Sequence, residues 1–442
     1  MGCCDSQPKP GKKNSNYSTP FRSKGNNNLN NDNISNPNND PKKGQILMPN
    51  YSNLNNKFSL TNKDNSNKEN NTFNADKSTT RNSSINREIT NNTNRKRTLI
   101  RFTNNNNSYM ISILQCLTYT RGLTKYFLSK YDYNNNYDNK ISNEYYKLLN
   151  NVWKEKKFSK PYPPDDLELF INDNNSIFNN NQLNDGKALL KYLFENIHNE
   201  LNIIGNNSDY NYQYDDSVNQ LNKEECFQSF YTNFKNNYNS VISDLFYGIK
   251  EIKFKCTQCE KINYKYEFFN FIEFPLNEIT SDLGISSKAS IENDSRFQNS
   301  INKIDLYECF NYINKEKSLT TKDFKCINCI NNEYFEFSTS LFSTPNYLIL
   351  FLNYENEDTS KYNVDYPEQL DLYNYIIHKE YAYKFDLYAV ISKSINDYYS
   401  YCRNLGNYNI WYKYKDKEVN QCENNEYLSA LPYCLFYKLK NK

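Results

Sequence analysis

Two pairs of closely spaced cysteines place the strongest constraint on how this chain can fold. The stretches "KCTQCEK" and "KCINCIN" contain Cys256 with Cys259 and Cys326 with Cys329, and each pair is flanked by strand-like sequence. Four thiolates in two such pairs can form a closed tetrahedral Zn²⁺ site, with a structural role because no coordination position stays open. The long interval between the pairs predicts that one zinc ion joins two separate hairpins. Four unrelated reduced thiols are the alternative.

The rest of the chain divides into a polar tail and a patterned region. Residues 7–96 are rich in Asn, Ser and Lys, so they cannot bury enough apolar surface to offset chain entropy, and we expect a disordered tether. Patterned sequence occupies residues 97–442. Helical spacing comes first, most clearly over 185–201, and short runs rich in aromatic and β-branched residues follow from about Ser243. This order predicts an α+β fold.

Composition narrows the class of protein. The formal net charge is only +2, so charge gives no support for a nucleic-acid partner. The 12 cysteines are not spaced like a secreted disulfide framework. No secretory signal and no apolar run of membrane-spanning length is visible in the sequence. These features predict a reducing, intracellular compartment.

The first six residues fit a lipid-modification motif. The chain begins "MGCCDSQPKPGKK", with Gly2 and Ser6 at the offset of an N-myristoylation site and Cys3 and Cys4 available for palmitate. One myristoyl chain holds a protein to a bilayer only marginally, so the adjacent cysteines would supply the second signal. We therefore expect residues 1–6 to anchor the protein to the cytoplasmic face of a membrane. A chance Met-Gly start with two idle thiols is the alternative.

The stretch "TNNNNSYMISILQCL" predicts a helix that begins near Ser108, because its apolar residues recur at helical spacing. A serine at the start of a helix admits two interpretations. It can be a nucleophile, if a base removes its proton. It can instead be an N-cap, whose hydroxyl accepts a hydrogen bond from a free backbone N–H of the first turn. The N-cap is the interpretation that the rest of the sequence favours.

These motifs together resemble the ubiquitin-specific protease family. Residues 105–117, "NNNSYMISILQCL", are similar to the family's first box, G-N-T-C-Y-M-N-S-x-L-Q-x-L, and residues 184–202 are similar to its Q-x-D-A-x-E-F-L helix. "FDLYAVISKSINDYYSYCRN" and "WYKYKDKEV" resemble its closing blocks, in the right order. The resemblance implies a papain-like deubiquitinase fold with a helical thumb, a β-sheet palm and zinc-ribbon-like fingers at about 245–345. It also implies ubiquitin or a ubiquitin-like protein as a partner.

The family's chemistry uses a Cys–His–Asp/Asn triad that attacks the isopeptide bond, and this chain departs from it at each position. Ser108 stands at the cysteine position, Asp397 at the histidine position and Lys415 at the orienting-acid position, while Asp416 keeps a second acid. An aspartate, with an ordinary pKa near 3.9, is badly matched to removing a serine proton at neutral pH. We expect Asp397 and Lys415 to form an ion pair in place of the triad.

Two further family positions are changed. The oxyanion-stabilising asparagine falls on Thr103, and the glycine that helps to close the channel for the ubiquitin tail falls on Asn396. A side chain at the second position should crowd the tail. Neither of the two histidines, His198 and His378, can be placed beside the nucleophile position by the resemblance, and the nearest cysteine, Cys116, lies about two turns into the helix.

Three functions remain open from the sequence. The favoured one is a membrane-tethered pseudoenzyme that acts by binding ubiquitin or other proteins of the ubiquitin pathway. The second is an active deubiquitinase that cleaves ubiquitin isopeptide bonds. The third is a structural scaffold that does not contact ubiquitin.

Overall fold

The protein is described here by a computed structural model. It covers residues 107–440 apart from gaps at 137, 139, 155–163, 175–177, 179–184, 205–221, 286–301, 321–325, 327, 330–333, 355–361, 380–382, 395–396, 405–409 and 416–417. The predicted acylation motif and tether, as well as Thr103, Asn396 and Asp416, lie outside the described residues. Those assignments stay predictions.

Helices dominate the N-terminal half of the described chain. They are α1 (Ser108–Thr118), α2 (Arg121–Ser129), α3 (Lys140–Trp153), α4 (Asp165–Asn174), α5 (Gly186–Leu201), α6 (Lys223–Asn237) and α7 (Val241–Phe246), and later α8 (Leu276–Asp282) and α9 (Leu306–Asn314). A short 3-10 helix spans Glu426–Leu428. None of the described helices has both the length and the apolar character needed to cross a bilayer.

The strands follow in the second half. They are β1 (Gly248–Cys256), β2 (Ile262–Phe269), β3 (Ile272–Pro275), β4 (Asn302–Asp305), β5 (Lys317–Thr320), β6 (Tyr334–Ser343), β7 (Tyr347–Asn353), β8 (Tyr362–Asp365), β9 (Gln369–Asp371), β10 (Lys384–Lys393), β11 (Tyr398–Arg403), β12 (Trp411–Lys415), β13 (Glu418–Gln421) and β14 (Pro432–Leu439). Helices first and strands later confirm the α+β prediction.

The strands form two main sheets. The larger one has the order β13-β12-β11-β10-β14-β7-β3, with β9 also paired to β10, and all its neighbours are antiparallel except β3 and β7. The smaller one has the order β2-β1-β6-β5 and is antiparallel throughout. A separate parallel pair joins β4 and β8. The two sheets correspond in position to the expected palm and fingers.

Helix α1 lies between the other helices and the larger sheet. All 11 of its residues are buried, because it packs against α2 and α5 on one side and against β10 and β11 on the other. Tyr119, directly after the helix, continues this packing, and its hydroxyl lies 2.5 Å from that of Tyr414 in β12. The Trp153 indole of α3 donates to the Thr118 carbonyl at 3.2 Å. These contacts fix the end of α1 beside β12 of the larger sheet.

A buried histidine joins α5 to α7. The ring Nδ1 of His198 lies 2.6 Å from the Ser240 hydroxyl, which caps α7 by accepting from the backbone N–H groups of Ile242 and Ser243. Because that oxygen already accepts two hydrogen bonds, its own proton is the one donated to Nδ1. His198 is therefore neutral, with its proton on Nε2. Burial lowers its pKa to about 4.

This arrangement predicts a pH-dependent stability. The unfolded chain takes up a proton at His198 below a pKa of about 6.5, whereas the folded chain does not until about 4. The contribution of His198 to the free energy of unfolding should therefore be constant above about pH 7 and fall through the window from 6.5 to 4, with about 2 kcal/mol lost by pH 5. Urea unfolding at pH 7.5 and pH 5.0 measures this loss.

The matched control is His198→Asn, whose amide oxygen can accept from Ser240 but cannot be protonated in this range. The variant should lose about 2 kcal/mol less than the natural chain between the two pH values. Equal losses in the two proteins would show that His198 does not titrate on unfolding as described.

Candidate active site and cysteine cluster

Ser108 is the first residue of α1, and its hydroxyl does not cap the helix. The N-cap is Asn107, whose side chain makes no capping hydrogen bond. The Ser108 hydroxyl instead accepts from the backbone N–H of Tyr398, the first residue of β11, at 3.1 Å. The N-cap interpretation of Ser108 is therefore wrong, because the hydroxyl is directed at the neighbouring strand rather than at its own helix.

The same backbone N–H joins Ser108 to the expected histidine position. It also donates to the Asp397 carboxylate, at 2.9 Å, so Ser108 and Asp397 share one donor across 290 residues of chain. The Asp397 carbonyl accepts from the backbone N–H of Ser394 at 2.8 Å, which joins the residue after β10 to the residue before β11. Ser108 and Asp397, which correspond to the cysteine and histidine positions of the family, are therefore adjacent in the fold. Only 6% of Ser108 is exposed.

Lys415 does not pair with Asp397. Its ammonium lies 5.9 Å from the centre of the Tyr399 ring, and these two described residues form no ion pair. The sheet register explains the difference. Ser400 is opposite Tyr414, so Lys415 lies opposite Tyr399 and is separated from Asp397 diagonally, a spacing of about 7–8 Å between backbones. The expected ion pair is therefore wrong.

A buried carboxylate, which the sequence pattern does not reveal, lies beside the start of α1. Asn107 donates its side-chain amide to Glu168 of α4 at 3.1 Å, and these side chains are 4% and 5% exposed. Burial, together with the nearby charges of Glu168 and Asp185, raises the pKa of Tyr109 to about 12. Glu168 was not a candidate because a glutamate in a helix usually faces solvent.

Asp185 borders the same region and has a structural task. Its carboxylate caps α5 by accepting from the Lys187 backbone N–H at 2.9 Å, and it also accepts from the Tyr433 hydroxyl at 3.1 Å. The Tyr433 ring packs edge-on against Tyr398 at 5.1 Å between ring centres. These contacts therefore connect three elements beside Ser108: the N-terminus of α5, the strand β14 and the start of β11.

Both histidines of the chain lie elsewhere. His198 bonds to Ser240, as described above, and His378 packs edge-on against Phe342, with 4.5 Å between ring centres. Cys116, the nearest cysteine in sequence, is completely buried, and its thiol contacts that of Cys402. The chain contains only two histidines, so no imidazole lies beside the Ser108 hydroxyl, and no cysteine among the described residues is placed against it.

The four predicted metal ligands come together at one end of the smaller sheet. Cys256 ends β1 and Cys259 lies in the turn to β2, whereas Cys326 and Cys329 lie between β5 and β6. The sulfur atoms all lie within 4.8 Å of one another. Two of the sulfur–sulfur distances are 3.6 Å and 3.4 Å, close to the roughly 3.8 Å edge of a tetrahedron with about 2.3 Å Zn–S bonds. These cysteines can therefore hold zinc.

Residues 101–437 match the sequence profile of the family described as "Ubiquitin carboxyl-terminal hydrolase". This match covers well over half of the chain, including both the Ser108 region and the cysteine cluster. The chain belongs to the ubiquitin carboxyl-terminal hydrolase family.

Individual members of this hydrolase family are distant relatives. The chain is 24% identical over 350 residues to ubiquitin carboxyl-terminal hydrolase 2 of Homo sapiens, covering 76% of this chain and 54% of the relative. It is 22% identical over 347 residues to ubiquitin carboxyl-terminal hydrolase Usp2 of Drosophila melanogaster, covering 75% and 34%. The alignments thus span only about a third to a half of these curated relatives.

Solved structures of the family share the fold. A SAGA DUB module containing Ubp8, Sgf11, Sus1 and Sgf73 bound to ubiquitin aldehyde matches with a TM-score of 0.54 and 18% identity, over 78% of this chain and 69% of that chain. The corresponding module bound to monoubiquitin matches with a TM-score of 0.52. The deubiquitinase fold implied by the sequence is therefore confirmed.

Proposed function

We propose that this chain is a catalytically inactive member of the hydrolase family that acts by binding ubiquitin or another protein of the ubiquitin pathway. The observation that carries the proposal is the shared hydrogen bond at the start of α1. There a serine replaces the nucleophile, and the side chain next to it at the histidine position is Asp397.

The missing imidazole is the chemical reason. Attack by a serine hydroxyl needs a base that accepts its proton during the reaction and then protonates the leaving amine. The side chain at the histidine position is the carboxylate of Asp397, and a carboxylate accepts a hydroxyl proton and returns it to a leaving amine less readily than an imidazole does. The buried Glu168 carboxylate accepts from the Asn107 amide. Both histidines are engaged elsewhere, and the chain has no third.

Binding does not need that chemistry. The matched family members are named as ubiquitin hydrolases, and one matched structure is described as bound to ubiquitin aldehyde. The larger and smaller sheets of that fold are present here. Ubiquitin as a partner is therefore the proposal that the family and the fold support, while Asn396 at the glycine position of the tail channel argues against deep insertion of the tail.

Titration of the full-length protein with ubiquitin tests this proposal. We expect saturable binding, and we expect ubiquitin that lacks its two C-terminal glycines to bind within about twofold of intact ubiquitin. The physical reason is that the globular face supplies the contacts while the tail is excluded. Isothermal titration calorimetry measures both affinities under the same conditions.

Asn396→Gly is the matched variant. It removes the side chain that is expected to crowd the tail, so it should make intact ubiquitin bind more tightly than the truncated form. The absence of saturable binding by intact ubiquitin would contradict the proposal and support a scaffold that does not contact ubiquitin.

We also propose that the cysteine cluster holds one structural zinc ion. Its role would be to join Cys256 and Cys259, at the end of β1 and in the β1–β2 turn, to Cys326 and Cys329, which precede β6, the strand paired with β1. All four ligand positions would be filled by protein sulfur, so no position is left for a reacting group.

Metal analysis of the purified protein should give about one zinc per chain. Cys256→Ser removes one of four thiolate ligands, so it should lower the zinc content and the thermal midpoint together. Cys422→Ser is the control, because Cys422 is a partly buried cysteine outside the cluster. Equal zinc contents in the natural chain and in Cys256→Ser would contradict the assignment.

We propose, finally, that acylation at Gly2, Cys3 and Cys4 attaches the protein to the cytoplasmic face of a membrane. The support is the coincidence of an N-myristoylation pattern with two adjacent cysteines and nearby lysines.

Fractionation of cells that express the protein tests the anchor. Gly2→Ala prevents myristoylation and should move the protein to the soluble fraction. Replacing Cys3 and Cys4 by Ser leaves one acyl chain, which holds only marginally, so this variant should divide between the fractions. A Gly2→Ala protein that stays with the membrane would refute myristate as the anchor.

A further inference from the structure

An open pocket lies away from the candidate active site and the cysteine cluster. It is formed where the hairpin of β9 and β10 meets the first turn of α9, and its volume is about 580 Å³. We call it the tyrosine pocket. Its lining consists of Tyr307, Asp371, Tyr373, Asn374, Tyr375 and Tyr383.

Four of these six lining residues are tyrosines, and their rings form two pairs. Tyr307 and Tyr375 are nearly parallel, with 6.1 Å between ring centres and 12° between planes. Tyr373 and Tyr383 meet edge to face, at 5.1 Å and 65°. Tyr373 is 46% exposed, an unusual exposure for a large aromatic side chain. The pocket therefore presents aromatic faces to solvent.

Hydrogen bonds hold part of this lining in place without a ligand. The Tyr375 hydroxyl lies 3.2 Å from the Tyr307 carbonyl and 3.0 Å from the Asn311 side-chain oxygen, and its single proton is donated to or shared between these two acceptors. The Tyr307 hydroxyl accepts from the Asp371 backbone N–H at 3.1 Å. Because these rings are already positioned, a ligand would lose little affinity to ordering them.

Charged groups of both signs border the pocket, Asp371 on the one hand and Lys384 and Lys379 on the other, so its attraction for a cation comes from the aromatic faces. The Asp371 carboxylate is at its edge, and its only ion pair among the described residues is an exposed one with Lys384 at 3.6 Å, which contributes little. Aromatic faces attract cations through the ring quadrupole. The chain itself illustrates this: the Lys379 ammonium lies 4.4 Å from the centre of the Tyr373 ring and donates to the Tyr373 carbonyl.

We propose that the tyrosine pocket binds a methylated ammonium group, as carried by a trimethyllysine side chain or by choline. A bare ammonium is strongly hydrated and needs several acceptors to replace its water. A trimethylammonium group is larger and has no N–H to satisfy, so aromatic walls with one carboxylate suit it better. The pocket volume of about 580 Å³ also leaves room for the methyl groups of such a cation. This inference does not depend on whether the chain binds ubiquitin.

Saturation-transfer difference NMR on the full-length protein tests the pocket, with choline and Nα-acetyl-trimethyllysine methylamide as ligands. The neutral control ligand is 3,3-dimethylbutanol, which replaces the choline nitrogen by carbon and keeps the shape. We expect both cations to bind saturably and at least tenfold more tightly than the neutral alcohol. Tighter binding of the lysine derivative would assign the site to a modified protein, and tighter binding of choline would assign it to a free or lipid-borne amine.

Three variants locate the binding. Tyr373→Ala removes an exposed aromatic face and should weaken choline binding at least fivefold, whereas Tyr373→Phe keeps the ring and should bind within about twofold of the natural chain. Lys379→Ala removes the competing ammonium and should tighten binding about twofold or more. Equal binding of choline and the neutral alcohol, no saturable binding of either cation, or unchanged binding in a folded Tyr373→Ala protein would overturn the proposal.

Discussion

The packing of α1 against the larger sheet is the constraint on which the rest of the structure depends. All 11 residues of α1 are buried, including polar ones, so the helix cannot be moved without disturbing both the thumb helices and the sheet. Hydroxyl contacts reinforce the apolar packing, from Tyr119 to Tyr414 and from Thr120 to Tyr388. None of these contacts involves a group that performs chemistry. The packing of α1 therefore does not depend on a catalytic group.

The packing of α1 also determines which side chains meet at the positions that correspond to the family's triad. Ser108 and Asp397 meet because α1 and β11 must pack together, and both accept from the Tyr398 backbone N–H. The surrounding ionisable groups are mainly carboxylates and tyrosines, and burial with nearby acids raises the pKa of Tyr109. Such surroundings oppose a further negative charge at Ser108. We propose on this basis that the site has kept its shape and lost its reaction.

Much of this organisation could be predicted from the sequence. Period and composition gave the order of helices and strands, the two C-x-x-C pairs gave the four cysteines that come together, and the family motifs gave the adjacency of Ser108 and Asp397. These features depend on local pattern or on short motifs, which a single chain displays directly.

Other features depend on three-dimensional surroundings that the pattern does not encode. Glu168 is buried because Asn107 offers it a donor from another segment. Lys415 misses Asp397 because the strand register sets it opposite Tyr399, which motif spacing alone did not reveal. Ser108 does not cap α1 because the neighbouring strand offers a backbone donor. The tyrosine pocket likewise joins residues from a helix and a hairpin that are distant in sequence.

We propose that Ser108, at the nucleophile position, does not attack a carbonyl. The most direct measurement is to incubate the full-length protein with ubiquitin that carries an electrophilic C-terminus and to examine the product by intact-mass spectrometry and peptide mapping. We expect no covalent adduct at a probe concentration that saturates non-covalent binding. An adduct mapped to Ser108 and lost in Ser108→Ala would contradict this proposal and would show that the chain is an active hydrolase.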